Sequence, residues 1–203
     1  MKRLTILLVA LLVVFGFSVQ ANATLYNRGP DSLGNRLIYD DDLNITWYDY
    51  TNTFNTWQNQ VGWANALSVE FGGTIYDDWR LPITFDQSCW YYGCTNSEMG
   101  HLYYTELGNG VGGPLTNTGD FQDLQPDFAY WSGTEFAVLP DGAWGFYFLN
   151  GGQYTDFKDG YYYALAVRPG DVAASVPEPG TLLLLGTGLG GLIVFRIRMR
   201  RHG

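Results

Sequence analysis

The stretch "YYYALAVRP", residues 161–169, has the alternation that is typical of a β-strand. Successive side chains of a strand point to opposite faces of the sheet, so the stretch divides into two sets. One set is Tyr162, Ala164 and Ala166, and the other is Tyr161, Tyr163, Leu165 and Val167. The pattern predicts a strand whose alternating tyrosines partly fill the core.

Other β-prone runs precede this stretch along the chain. "FAYWSGTE" predicts a strand and turn at 128–135, and "AWGFYFLNGG" predicts a strand that ends in a turn at 150–152. In the second run one face carries Trp144, Phe146 and Phe148. The short runs 36–39 and 45–48, separated by "DDDLN", predict a hairpin.

Two segments have the spacing of amphipathic helices. In "NTWQNQVGWANALSVEFGG", the apolar residues predict a helix after an N-cap at Thr56 and a stop at Gly72-Gly73. In "TNSEMGHLYYTELGNG", Thr95 and Glu98 have capping-box spacing and Gly108 marks an end. Met99, Leu102 and Leu107 form the apolar side of this second helix. Together the segments predict an α+β domain with two helices and an antiparallel, loop-rich sheet.

The N-terminus has the three parts of a secretory signal peptide. Lys2 and Arg3 precede an apolar run, and a small-x-small site follows at 21–23. We therefore expect a signal peptide over 1–23 that is cleaved after Ala23, with an uncleaved anchor as the alternative. The exported domain is then expected over 24–175.

The C-terminus ends in a short apolar run and a basic cluster. A hydrophobic helix is predicted over 181–195, shorter than the roughly 30 Å core of a bilayer requires. Pro177 and Pro179 keep the preceding segment extended. The positive-inside rule places the basic end in the cytoplasm, where it comprises Arg196, Arg198, Arg200 and Arg201. This pattern favours a transient anchor in the inner membrane, with a lasting anchor as the alternative.

Charge excludes one class of partner. The chain has 20 acidic and 11 basic residues, and one acidic and six basic residues lie in the two terminal segments. The middle therefore carries 19 acidic and 5 basic residues, a net charge of −14. Nucleic acid is not expected as a partner, because phosphate binding needs clustered Lys and Arg.

The chain has two cysteines, Cys89 and Cys94, in "CWYYGC". In an exported protein this spacing predicts a disulfide that closes a small loop. The loop would present Trp90, Tyr91 and Tyr92, which are candidate glycan-contact residues because constrained aromatic side chains bind at low entropy cost. The alternative is that such aromatic residues fill the core.

The sequence offers little for a cofactor or a metal, and none is expected. Asp40, Asp42 and Asn44 have the spacing that opens a calcium loop, but Ile45 replaces the required glycine. A turn with solvated carboxylates is the favoured interpretation, and these three residues are weak calcium candidates. In "WRLP", Trp79 and Leu81 are predicted to be buried while Arg80 pairs with a carboxylate or carbonyl. His101 is interpreted as a packed or surface histidine rather than a base.

Five blocks in order resemble the C-terminal domain family of the Lcl collagen-like adhesin, over about residues 37–172. They are "LIYDDDLNITW" (37–47), "DDWRLPI" (77–83), "NSEMGHLYYTELG" (96–108), "YWSGTE" (130–135) and "YYALAVRPGD" (162–171). The resemblance implies a C-type-lectin-like, formylglycine-generating-enzyme-like fold, export and, in some members, adhesion to sulfated glycans or biofilm matrix. It implies no shared catalytic centre.

The tail 176–203 resembles the PEP-CTERM sorting signals, through Pro177, Glu178 and Pro179, the apolar run and the arginine cluster. This resemblance implies an exosortase as processing partner and a final location at the cell surface or in the extracellular matrix. Three hypotheses follow: a non-enzymatic adhesive protein that associates with exopolysaccharide or sulfated glycan, an extracellular enzyme acting on surface glycans, and a purely structural matrix protein. The first is favoured because no catalytic constellation is recognisable.

Overall fold

The computed structural model describes residues 24–172. The predicted signal peptide (1–23), PEP residues, hydrophobic helix (181–195) and arginine cluster lie outside the described residues. Neither helix between Thr24 and Val172 has the length and apolar character needed to cross a membrane.

The described chain is mostly β-sheet with two short helices, consistent with the predicted α+β class. Its strands are β1 (Leu25–Pro30), β2 (Arg36–Asp40), β3 (Ile45–Asn55), β4 (Val69–Phe71), β5 (Thr74–Tyr76), β6 (Ala129–Glu135), β7 (Gly142–Tyr147), β8 (Gly152–Phe157) and β9 (Tyr162–Pro169). Its helices are α1 (Trp57–Ala66) and α2 (Glu98–His101), and α2 runs directly into a π-helical turn (Leu102–Glu106).

Seven strands form one sheet in the order β1-β2-β3-β9-β6-β7-β8. The predicted hairpin is confirmed as β2–β3. The prediction of an antiparallel sheet is confirmed in part: β9 pairs antiparallel with β3, but it pairs parallel with β6, through Tyr130 and Tyr163. The last strand of residues 24–172 thus lies in the middle of the sheet.

The alternation in β9 separates two hydrophobic clusters. Leu165 and Val167 belong to one cluster, while Ala164 and Ala166 belong to the other. The alanines leave room for large partners, which include Trp57, Trp79 and Trp131. Tyr162 and Tyr163 pack against opposite clusters as predicted, whereas Tyr161 precedes the strand and is exposed.

The end predicted for α1 is wrong. The helix ends at Ala66, and Gly72-Gly73 form the two-residue turn of the β4–β5 hairpin. Their φ angles of 59° and 80° are left-handed, which is the requirement of the tight turns that join such strands. Thr56 is the N-cap residue, but its side chain caps no backbone N–H group.

The predicted capping box of the second helix is also wrong. Ser97 is the N-cap, and its Oγ accepts a hydrogen bond of 3.1 Å from the Gly100 N–H group. The Glu98 side chain turns away from the helix end to pair with Arg80. The apolar side of this helix is confirmed, because Met99, Leu102 and Leu107 are buried.

Candidate functional site

The candidate site is the loop 89–94, which we call the aromatic loop. Cys89 and Cys94 are disulfide-bonded with their Cα atoms 5.7 Å apart, which confirms the predicted pair. The loop lies beside β8, which is the last strand on its side of the seven-stranded sheet. The loop therefore covers part of a sheet edge that would otherwise expose unpaired backbone groups.

Backbone pairing fixes the loop to this edge. The Tyr91 N–H group donates to the Gln153 carbonyl at 2.7 Å, and the Gln153 N–H group donates to the Tyr91 carbonyl at 2.6 Å. The Gln153 Nε2 atom also donates to the Cys89 carbonyl at 2.9 Å. Gln153 thus holds two points of the loop.

A tyrosine hydroxyl connects the loop to its other neighbours. The Tyr104 hydroxyl, from the π turn, accepts from the Gly93 N–H group at 2.9 Å and donates to the Gly151 carbonyl at 2.8 Å. One side chain therefore joins the π turn, the aromatic loop and the β7–β8 turn. The loop is restrained at its end as well as at its middle.

The three candidate aromatic side chains are exposed. Trp90 is 39% exposed, Tyr91 68% and Tyr92 49%. The Trp90 ring packs on the Trp144 ring with centroids 4.7 Å apart and meets Phe136 edge-on at 5.4 Å. The buried Trp144 ring and the partly buried Phe136 ring thus support Trp90, while part of the Trp90 surface remains open to solvent.

Tyr91 has an unusual backbone conformation. Its φ angle of 68° is left-handed, a region that residues with a Cβ atom rarely occupy. Such conformations cost about 1–3 kcal/mol and persist where the surrounding structure imposes them. Here the disulfide and the paired hydrogen bonds to Gln153 impose it and direct the ring of Tyr91 to solvent.

Two buried polar atoms below the loop lack hydrogen-bond partners among the described residues. They are Trp144 Nε1, a donor, and Gln153 Oε1, an acceptor. The two side chains share a face of the sheet, since Gln153 lies opposite Phe146 and Trp144 is two residues along the same strand. Unsatisfied buried groups of this kind are costly to the folded state.

The prediction for "WRLP" is confirmed. Trp79 and Leu81 are buried, and Arg80 donates from Nη1 and Nη2 to the two carboxylate oxygens of Glu98, each at 2.7 Å. Glu98 Oε2 also accepts from the Ile83 N–H group at 2.8 Å. This bidentate pair joins the segment before the aromatic loop to the helix after it, so its role is structural.

The weak calcium candidates have different partners. The Asp40 carboxylate is buried and accepts from the Leu43 N–H group at 3.0 Å, whereas Asn44 Oδ1 accepts from the Tyr39 hydroxyl at 2.9 Å. Asp42 faces His101, with 3.8 Å between Asp42 Oδ2 and His101 Nε2. The structure therefore groups Asp40 and Asp42 with His101 rather than with Asn44.

The residues that support the aromatic loop were not found from the sequence. The sequence patterns predict no strand over 152–157 and so do not single out Gln153, and they identify Trp144 only as one of three aromatic residues on one strand face. An alternating "GQYTDF" after the turn at 150–152 was the available signal. A separate surface groove of about 520 Å³, lined partly by Phe157 and Lys158, lies away from the loop.

Comparison with known families gives two matches. The Lcl C-terminal domain family matches residues 36–168, and the PEP-CTERM protein-sorting motif matches residues 175–201. Comparison with curated proteins and with solved structures gives no match. The PEP-CTERM motif is the recognition signal for exosortase processing, and it implies an exported protein with an extracellular or surface location. The chain belongs to the Lcl C-terminal domain family and carries a PEP-CTERM sorting motif after its family domain.

Proposed function

We propose that this domain is a non-enzymatic, C-type-lectin-like module that binds a neutral exopolysaccharide at the cell surface or in the extracellular matrix. The observation that carries the proposal is the aromatic loop, whose three exposed rings stand on a backbone fixed by a disulfide and by β8. Rigid aromatic side chains provide large contact areas at low entropy cost, and the flat faces of sugar rings stack on them.

Charge favours a neutral glycan over a sulfated one. The middle of the chain has a net charge of −14, which repels polyanions at long range. Its basic side chains are engaged: Arg28 with Asp171, Arg36 with the Asp120 carbonyl, Arg80 with Glu98, Lys158 with Glu135, and Arg168 with Asp78. A sulfated ligand would therefore compete with existing partners, whereas stacking needs no cation.

A binding role is favoured over an enzymatic one by the surroundings of His101. Its Nε2 atom lies 3.2 Å from Glu106 and 3.8 Å from Asp42. The imidazole is therefore engaged by carboxylates and has no hydroxyl nucleophile among these partners. Nucleophilic catalysis of the Ser–His type requires that contact.

Tyr91→Gly tests the proposal by separating binding from stability. We expect retention of the host's neutral exopolysaccharide to fall by about two- to tenfold, since one aromatic contact contributes roughly 0.5–1.5 kcal/mol. The melting temperature should stay unchanged or rise, because glycine relieves about 1–2 kcal/mol of left-handed strain against an entropic cost of about 0.5–1 kcal/mol. Affinity electrophoresis and thermal unfolding of the protein processed by its native host measure the two effects.

Tyr161→Ala is the matched control, because Tyr161 is 63% exposed and lies outside the aromatic loop. The Tyr161→Ala protein should retain the polysaccharide at the wild-type level. Equal losses in both variants, or no retention by the wild type, would reject the aromatic loop as the site. Depolymerisation of the polysaccharide would instead support an enzyme, and preferential retention of a sulfated glycan would overturn the neutral assignment.

A further inference from the structure

Three side chains that can bind a metal ion, those of Asp40, His101 and Glu106, lie close together away from the aromatic loop. Asp40 is the last residue of β2, His101 is the last residue of α2, and Glu106 ends the π turn. One ligand atom from each lies within 4.8 Å of the others. Within this cluster, His101 Nε2 and Glu106 Oε1 are 3.2 Å apart.

The π turn explains why His101 and Glu106 meet although they are five residues apart. In an α-helix the side chains that share a face are three or four residues apart. The wider π turn instead joins residues five apart, as in the 2.9 Å bond from the Leu107 N–H group to the Leu102 carbonyl. Such turns are rare and occur frequently at functional sites. The π turn therefore places the Glu106 carboxylate beside the His101 imidazole, which a regular α-helix would not do.

Burial makes the negative charge of this cluster costly. Asp40 is fully buried and the Glu106 side chain is 1% exposed, while His101 is mostly buried. Burial, and then the neighbouring Asp40, raises the pKa of Glu106 to about 7. Burial also raises the pKa of Asp40.

No lysine or arginine between Thr24 and Val172 forms an ion pair with this cluster, because each of those side chains is engaged elsewhere. The single imidazole faces Asp42 as well as Glu106. With all three carboxyl groups ionised, Asp40, Asp42 and Glu106 would carry an excess of negative charge even beside a protonated histidine. A bound divalent cation would neutralise that excess.

Asp40 is oriented as metal-ligating carboxylates usually are. Its Oδ1 atom accepts from the Leu43 N–H group at 3.0 Å, and its Oδ2 atom accepts from Trp47 Nε1 at 3.4 Å. Each carboxylate oxygen keeps a lone pair beyond these bonds. Hydrogen bonds of this kind orient ligands and strengthen metal binding.

We propose that Asp40, His101 and Glu106 bind one divalent transition-metal ion. An imidazole nitrogen with carboxylate oxygens suits zinc, which binds such atoms at about 2.0–2.2 Å, whereas calcium takes oxygen ligands. Ligands around zinc lie about 3–4 Å apart, so the cluster needs to contract by about 1 Å. Asp42, which is more exposed, is placed to become the fourth ligand. The ion would join the β2–β3 turn to the π turn.

Zinc titration of the chelator-stripped protein, in the form processed by its native host, tests the site. Calorimetry should give one zinc ion per chain, and the melting temperature should rise by about 5 °C or more at 100 times the dissociation constant. Glu106→Gln and His101→Gln should each weaken zinc binding by at least about tenfold. Cobalt substituted for zinc should show visible absorption that His101→Gln alters.

Glu70→Gln is the matched control, because it removes one exposed carboxylate on β4 outside the cluster. It should bind zinc as the wild type does. Glu106→Gln should fold at least as stably as the metal-free wild type, since it removes a buried negative charge and keeps the side-chain shape. Failure to take up one zinc ion saturably, or full uptake by Glu106→Gln, would overturn the proposal.

Discussion

Gly100→Ala is expected to destabilise the domain by at least about 3 kcal/mol. A Cβ atom at position 100 would lie 1.8 Å from the Cys94 carbonyl oxygen and 2.7 Å from Ser97 Oγ. The first contact is with backbone at the disulfide, so no side-chain rotation relieves it. The disulfide-bonded end of the aromatic loop and the start of α2 would have to separate. Chemical and thermal unfolding should show the loss, with a fall in melting temperature of about 6–12 °C.

Gly62→Ala is the control for this prediction. Gly62 lies within α1, and a Cβ atom there would meet nothing within 4 Å. Since alanine favours a helix over glycine, this variant should be stabilised by about 0.5–1 kcal/mol. A cost below about 1 kcal/mol for Gly100→Ala would contradict the close packing of α2 against Cys94.

Arg80→Ala is expected to lower the free energy of unfolding by about 3–5 kcal/mol, because it leaves the buried Glu98 carboxylate without its counter-ion. The Glu98 side chain is 2% exposed and accepts both guanidinium hydrogen bonds. The hydrogen bond that remains to Glu98, from the Ile83 N–H group, does not neutralise the carboxylate charge. Urea unfolding monitored by tryptophan fluorescence should show the loss as a lower transition midpoint.

Arg168→Ala provides the comparison, since its partner Asp78 is largely exposed. It should cost about 1 kcal/mol, because water solvates the remaining carboxylate and mainly packing is lost. Adding Glu98→Gln to Arg80→Ala should recover part of the stability, because it removes the unpaired charge. If Arg80→Ala and Arg168→Ala lower the free energy of unfolding equally, burial of the Arg80–Glu98 pair does not increase its contribution to stability.

Local patterns predicted those features that depend on neighbouring residues in the chain. The alternation in 161–169 predicted which side chains of β9 lie on opposite faces. The spacing of Cys89 and Cys94 predicted their disulfide, and the loop it closes keeps Trp90 exposed. These predictions succeeded because periodicity and loop closure act over a few residues.

The sequence pattern gave wrong predictions where one local signal is compatible with two structures. Gly72-Gly73 ends a helix or turns a hairpin equally well, and the hairpin occurs because β4 and β5 pair. Glu98 has capping-box spacing, but its pairing with Arg80 takes precedence over capping. In the first case the pairing of two adjacent strands decided the outcome, and in the second a contact between residues 18 apart in the chain did.

By itself the sequence determined the strands β2, β3, β6, β7 and β9, the disulfide, the sorting motif and the net negative charge of the exported domain. Only the tertiary structure decided that β9 lies between β3 and β6, that Gln153 supports the aromatic loop, and that Asp40 meets His101 and Glu106. The physical reason is range: alternation specifies which face a side chain occupies, but it does not specify which distant strand or helix packs against that face. Those neighbours are selected by the burial of the whole core, and the two proposed binding sites depend on them.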